Sequence, residues 1–203
     1  KASVSSSSVV RSPKATLNTC PTALGSALSK AASAMKLGNP LDLGTQIGAV
    51  NSEVQLAGNL GFVEDARRDG GDVVLGGNRA MTETGGYYME PTVVAGVQPS
   101  HRLFREEVFG PVLAVTPFQT EAEAVNLANA TDFGLAAGVW TSNLSRAHRM
   151  VRAIKSGVVH VNTYGGSDNT VPLGGMKQSG NGHDKSLHAL DKYTELKTAW
   201  IQL

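Results

Sequence analysis

Between Gly110 and Asn162 the chain alternates short apolar runs with stretches of helical period, and this alternation limits its fold more than any other feature. VLAVTPF (112–118) has the composition of a buried strand. Thr120 followed by Glu123 forms a capping box for a helix through Asn129, and LAAGVWT (135–141) is again strand-like. Asn143 can cap LSRAHRMVRAIKSG, where Leu144, Ala147, Met150, Val151 and Ile154 share one face and Gly157 ends the helix. VVHVN (158–162) follows as a third strand. The order β-α-β-α-β predicts an α/β fold with a parallel sheet and right-handed crossovers, whose ligands gather at the carboxyl ends of the strands.

Upstream, TALGSALSKAASAMKLG (22–38) predicts a helix stopped at Gly38 before Pro40. Ser52 with Gln55 is a second capping box, followed by Leu56, Leu60 and Val63 at helical spacing. DVVLGG (72–77) and TVVAGV (92–97) have the length of strands ended by glycine. Residues 1–21 hold six serines and two prolines without a helical or strand period, and are expected to add little to a core. After Asn162 comes TYGGSDNTVPLGGMKQSGNGHD, a loop too long for an ordinary connection, and loops of that length at a strand edge usually carry function. The chain closes with a short helix over 186–192 and a strand TELKTAWI (194–201). Three segments are expected: a Ser-rich leader over 1–21, an α/β body over 22–185, and a terminal helix and strand over 186–203.

Several function classes lose support here. A net charge of +1 without single-sign runs offers nothing to a nucleic acid or an anionic membrane. No apolar run approaches the roughly 20 residues that span a bilayer, and the serine-rich start is unlike a signal peptide. The single cysteine, Cys20, rules out an internal disulfide and fits a reducing cytoplasm. Neither common phosphate-binding glycine motif occurs, and His, Cys, Asp and Glu are not clustered at metal-ligand spacing, so no metal site is expected. His160 lies in an apolar strand, as a hydrogen-bonded core or interface histidine would. Cys20 sits in Thr-Cys-Pro of the leader without a helix start or a base nearby, so it is read as an ordinary thiol rather than a nucleophile.

REEVFGPV (105–112) places two carboxylates and an aromatic ring just before a glycine-proline turn into a strand. A carboxylate held there could accept hydrogen bonds from sugar hydroxyls, as acidic residues do in many dinucleotide sites. On the residues alone, a pair of surface acids beside a core phenylalanine is the simpler explanation.

EEVFGPV, LANATDFGLAAGVWT with LSRAHRMVRAIKSG, VNTY and VPLGGMKQSGNGHD, in that order, resemble the signature series of the C-terminal half of the aldehyde dehydrogenase superfamily. KLGNPLDLGTQIGAV and GYYMEPTVV fit the same pattern, so the resemblance covers roughly residues 35–203. The closing KSLHALDKYTELKTAWI is most similar to dehydrogenases of γ-glutamyl-γ-aminobutyraldehyde and related aminoaldehydes.

The resemblance implies part of a parallel-sheet catalytic domain that oxidises an aldehyde to a carboxylate with NAD or NADP. By the same resemblance Glu107 binds the nicotinamide ribose hydroxyls and Phe109 packs by the nicotinamide. Asp184 relays protons or orders the active site at a position usually held by glutamate. Leu173 lines the aldehyde pocket where many relatives have phenylalanine. Residues 194–201 would form an oligomerisation strand, implying a homo-oligomer when the segment belongs to an intact subunit. The family's G-Q-x-C nucleophile segment, its glutamate base and its glycine-bearing cofactor loop have no counterpart here, so no catalytic nucleophile is assigned. The expectation is therefore a C-terminal portion, inactive alone, preceded by a truncated or frame-shifted leader. The alternative is a non-catalytic module that pairs with full-length subunits.

Overall fold

A computed structural model describes residues 8–11, 20–166 and 168–203, which divide into two compact units. The first described element, β1 (Ser8–Arg11), belongs to the second unit with residues 132–203; the first unit spans 20–131.

The first unit contains α1 (Cys20–Ser33), α2 (Glu53–Arg68), β2 (Asp72–Leu75), the paired two-residue strands β3 (Arg79–Ala80) and β4 (Tyr88–Met89), β5 (Thr92–Ala95), the single turn α3 (Arg102–Arg105), β6 (Val112–Val115) and α4 (Glu121–Asn129). Its sheet runs β2-β5-β6, with β2 antiparallel and β6 parallel to the central β5. Helix α2 starts where the sequence predicts: Ser52 is extended, and its hydroxyl accepts from the Gln55 amide at 3.2 Å, satisfying one of the unpaired first-turn donors. Leu56, Asn59, Phe62, Val63 and Ala66 are buried along one stripe of the helix. Phe62 and Ala66 pack with Val94, Val97 and Leu103, while Leu56 and Val63 pack with Met89, so α2 covers this sheet, which α1 also packs against. At α4 the N-cap half of the expected box forms, Thr120 accepting from Glu123 N at 3.1 Å, while the Glu123 carboxylate accepts from Gln119 N at 2.7 Å, one residue before the cap.

The second unit holds β1, β7 (Phe133–Gly134), β8 (Ala136–Trp140), α5 (Leu144–Ala153), β9 (Val158–Val161) and β10 (Met176–Lys177), followed by a 3-10 stretch over Leu187–Tyr193. Its sheet is wholly parallel in the order β1-β8-β9. Asn143 caps α5 through Arg146 N at 2.9 Å, and of the five residues expected on one face Ala147, Met150 and Ile154 are buried, whereas Leu144 and Val151 are exposed. At the end of β9, Asn162 takes a left-handed conformation (φ 54°). Its amide donates to Thr141 O at 2.9 Å and accepts from Thr141 N at 2.8 Å, locking the exit of the sheet into the long loop.

Four expectations need correction. The β-α-β-α-β run does not build one sheet: β6 pairs in parallel with the upstream β5, and within the run itself β8-α5-β9 is the one parallel crossover unit. Alternation specifies the type of each element but not its partner, and TVVA supplied a second apolar strand within reach. The serine-rich start is not free of elements either, since Ser8–Arg11 pairs with Ala137–Trp140 and α1 begins at Cys20. Backbone hydrogen bonding lets an edge strand form without apolar alternation. The predicted terminal helix is a 3-10 stretch. Residues 194–203 form no strand and are exposed throughout, because among the described residues of this single chain none offers them a ladder partner.

Candidate functional site

The EEVFGPV segment leaves α3 and enters β6 in the first unit. Leu103 anchors α3 in the core, and Arg102 stacks over the Phe62 ring, 3.9 Å from its centroid. The Arg102 guanidinium also donates to Glu106 at 3.0 Å and to Asp65 of α2 at 3.1 Å. The hydrogen bond from Arg102, reinforced by Arg68, holds the Asp65 carboxyl below the usual carboxylate range. Glu106 is thereby committed to the scaffold. Glu107, half-buried, has no hydrogen-bond or ion-pair partner among the described residues. The Phe109 side chain is 53% exposed, which rules out the core phenylalanine that composition alone suggested.

The backbone beneath these two side chains is fixed from α2. Asn59 is fully buried; its Nδ2 donates to the Phe109 carbonyl at 3.2 Å, and its Oδ1 accepts from Gln55 Nε2 at 2.9 Å. Gly110 lies so close that a Cβ there would stand 2.1 Å from Asn59 Nδ2. The next carbonyl, of Pro111, accepts from Thr92 N at 2.8 Å and delivers the chain to the sheet. The result is a rigid turn that presents one unpaired carboxylate and one exposed ring. Asn59 escaped the sequence reading, although an amide side chain within the apolar stripe 56, 59, 63 was the available signal.

In the second unit the long glycine-rich loop is closed by an isolated antiparallel bridge between Leu173 and Asp184, whose amides and carbonyls exchange hydrogen bonds of 2.8 and 2.6 Å. Within it, β10 pairs with β7, and the Ser179 hydroxyl accepts from Gly134 N at 3.0 Å. Leu173 is partly exposed at the bridge. The Asp184 carboxylate forms an ion pair with Lys192 of the 3-10 stretch. That hydrogen bond, with the nearby Lys185 charge, keeps the Asp184 carboxyl below its ordinary range, and the same pairing raises the Lys192 ammonium. Glu107 and Phe109 thus share one turn, and Leu173 and Asp184 share one bridge.

The remaining candidates are less informative. His160 is half-buried and packs against the Tyr164 ring at 5.3 Å between centroids. Cys20 occupies the first position of α1, so a helix start does lie beside it, contrary to expectation. Among the described residues no group of three or more His, Cys, Asp or Glu could hold a metal ion, and no helix is long and apolar enough to cross a membrane.

Against known proteins, residues 20–199 match the model of the aldehyde dehydrogenase family. The chain belongs to that family. Among curated relatives, NADP/NAD-dependent aldehyde dehydrogenase PuuC of Escherichia coli K12 is 48% identical over 166 residues, covering 82% of this chain and 33% of that protein. Betaine aldehyde dehydrogenase of Cereibacter sphaeroides is 44% identical over 174 residues, covering 86% of this chain and 36% of that protein. A mutant of the indole-3-acetaldehyde dehydrogenase AldA of P. syringae, solved with NAD+ and IAA, superposes with a TM-score of 0.87 at 47% identity, covering 97% of this chain and 39% of its own. The aldehyde dehydrogenase KauB from Pseudomonas aeruginosa gives 0.87 at 48% identity, covering 96% and 38%. This aldehyde dehydrogenase chain therefore spans between about a third and two fifths of the length of these relatives.

Proposed function

We propose that this chain forms the nicotinamide-nucleoside wall of an NAD(P)+-dependent aldehyde dehydrogenase acting on a small aldehyde, an aminoaldehyde by its similarity to PuuC and betaine aldehyde dehydrogenase. The observation that carries this reading is the turn at 107–110, where an unpaired carboxylate and an exposed aromatic ring stand together on a backbone pinned by Asn59. An exposed ring is costly to leave in water and suits a flat partner. A carboxylate without a protein partner can accept two sugar hydroxyls. Glu107 would hold the ribose and Phe109 would pack by the ring of NAD or NADP, which accepts hydride from the substrate carbon when bound.

Leu173 offers an aliphatic wall to the aldehyde. Asp184 orders the loop that carries it rather than relaying protons, because a carboxylate paired with an ammonium stays ionised near neutral pH. A carboxyl of Asp184 titrating near neutrality by NMR would contradict that assignment. A soluble, cytoplasmic enzyme fits the single cysteine and near-neutral charge.

The test is to replace the matching 166 residues of PuuC by those of this chain. The expected result is a folded chimera that reduces NAD(P)+ when an aminoaldehyde is added, whereas the isolated chain gives no turnover. A folded chimera without aldehyde-dependent reduction overturns the functional reading, and turnover by the isolated chain overturns the expectation of inactivity.

A second reading is supported by the exposed tail, in which Leu196, Trp200, Ile201 and Leu203 are all solvent-facing. Residues 194–203 would pair with the sheet of another subunit, making the chain an assembly module as well as a wall of the site. Sedimentation of the purified chain should then show self-association lost on deleting 194–203; a monomer at tens of micromolar would argue against it.

A further inference from the structure

We infer that Asn59 is a positioning residue for the nicotinamide end of the site, setting the orientation of the Phe109 ring and the Glu107 carboxylate through its hydrogen bond to the Phe109 carbonyl. The inference rests on the reading of Glu107 and Phe109 as cofactor contacts, but its geometry stands independently. A fully buried amide in the middle of a helix is costly unless both of its polar atoms are satisfied. Here they are satisfied asymmetrically. Oδ1 takes the hydrogen bond of Gln55 one turn earlier on the same helix, while Nδ2 reaches a carbonyl fifty residues away, in a turn outside any helix or strand.

The Phe109 carbonyl belongs to the peptide that joins the exposed ring to Gly110. Holding that carbonyl restricts the ψ angle of Phe109, and so the direction in which its Cα–Cβ bond leaves the turn. Glu107 lies two residues earlier, separated by Val108, whose carbonyl accepts from Gly110 N at 2.9 Å. A movement of the 109–110 peptide therefore passes directly to both side chains. The upstream end of the turn is tied separately, by Glu106 to Arg102. Asn59 supplies the downstream tie.

Gly110 shows how close this fit is. Its missing side chain leaves room for the Asn59 amide, and a Cβ would meet Nδ2, Cγ and Oδ1 at 2.1, 2.7 and 3.3 Å. The contact is reciprocal: the amide needs a glycine opposite it, and the turn needs an amide rather than an aliphatic side chain beneath it. A leucine at 59 keeps the branching of the amide with bulkier methyl groups while offering the Phe109 carbonyl no donor.

Labelling the chain with 4-fluorophenylalanine provides a direct test, since its five phenylalanines give five fluorine signals and Phe109→Leu identifies the one from the turn. In Asn59→Leu the Phe109 signal should move at least about halfway to the free amino-acid position while those of Phe62, Phe104, Phe118 and Phe133 hold. Gly110→Ala, which crowds the same amide from the loop side without altering α2, should move the same signal. In the PuuC chimera, Asn59→Leu should raise the KM for NAD+ about tenfold, with kcat changed less than threefold. An unmoved Phe109 signal in both variants overturns the inference, and so does a collapse of all five signals together, which would make Asn59 a general core residue. A Phe109 signal that moves while the NAD+ KM of the chimera stays constant leaves the positioning intact and refutes the cofactor reading of the turn.

Discussion

Replacing Gly157 by alanine is expected to lower the thermal midpoint of the second unit by roughly 10 °C or more, the largest loss foreseen for any one-carbon change in the chain. A Cβ on Gly157 would stand 1.7 Å from the carbonyl oxygen of Gly174 and 2.7 Å from its carbon. The obstacle is backbone, so no side-chain rotation can relieve it. Gly174 in turn faces the Gly182 carbonyl, with 2.5 Å available to a Cβ, so a displaced 173–175 segment is driven into the other limb of the loop. Overpacking typically costs about 1–3 kcal/mol, and a clash with main chain belongs at or above the top of that range. For a unit of this size each kcal/mol corresponds to about 4–8 °C. Gly58→Ala in α2 is the matching control, since nothing lies within 4 Å of its Cβ. That change should raise stability by about 0.5–1 kcal/mol through helix propensity. Circular dichroism melts of both variants decide the matter; a Gly157→Ala midpoint within a few degrees of the parent would show that the loop is not packed against the start of β9.

In the PuuC chimera, Glu107→Gln should raise the KM for NAD+ by about tenfold to a hundredfold. The basis is the loss of hydrogen bonds to a charged acceptor, worth about 1.5–3 kcal/mol, with each 1.4 kcal/mol a factor of ten. Glu106→Gln one residue earlier is the discriminating comparison. Its carboxylate already answers Arg102, so its removal should disturb α3 without a comparable change in KM. Steady-state kinetics with varied NAD+ separates the two. Equal KM values for parent and Glu107→Gln would remove Glu107 from the cofactor site, and a larger effect at Glu106 would exchange their roles.

These expectations depend on features of unequal visibility in the sequence. The caps were legible because an N-cap is a local event: Ser52, Thr120 and Asn143 each accept from the amide three residues on, as their spacing implied. The buried face of α5 was legible in part for the same reason: the period fixed Ala147, Met150 and Ile154 to one side, but it did not show that Leu144 and Val151, assigned to the same face, stay in solvent. Strand partnership was not. VLAV and AAGVW look alike as apolar runs, yet one joins β5 and the other β1 and β9, a choice made by long-range packing that periodicity does not encode. Family motifs pointed to Glu107 and Phe109, and the structure adds why they differ from their neighbours: Glu106 is occupied and Phe109 is uncovered. Asn59 stayed hidden because its partner is a backbone carbonyl, which leaves no residue-type signature at position 109.

The bridge between Leu173 and Asp184 has a thermodynamic consequence for anything that settles against that loop. Joining the two limbs restricts the intervening chain when the unit folds, so the entropy of ring closure is charged to folding and not to binding. On the proposed reading of Leu173 as a wall of the aldehyde pocket, recognition there would draw chiefly on desolvation and shape. A small, weakly hydrophobic guest that could never organise a floppy segment could then be held by a wall that is already in place.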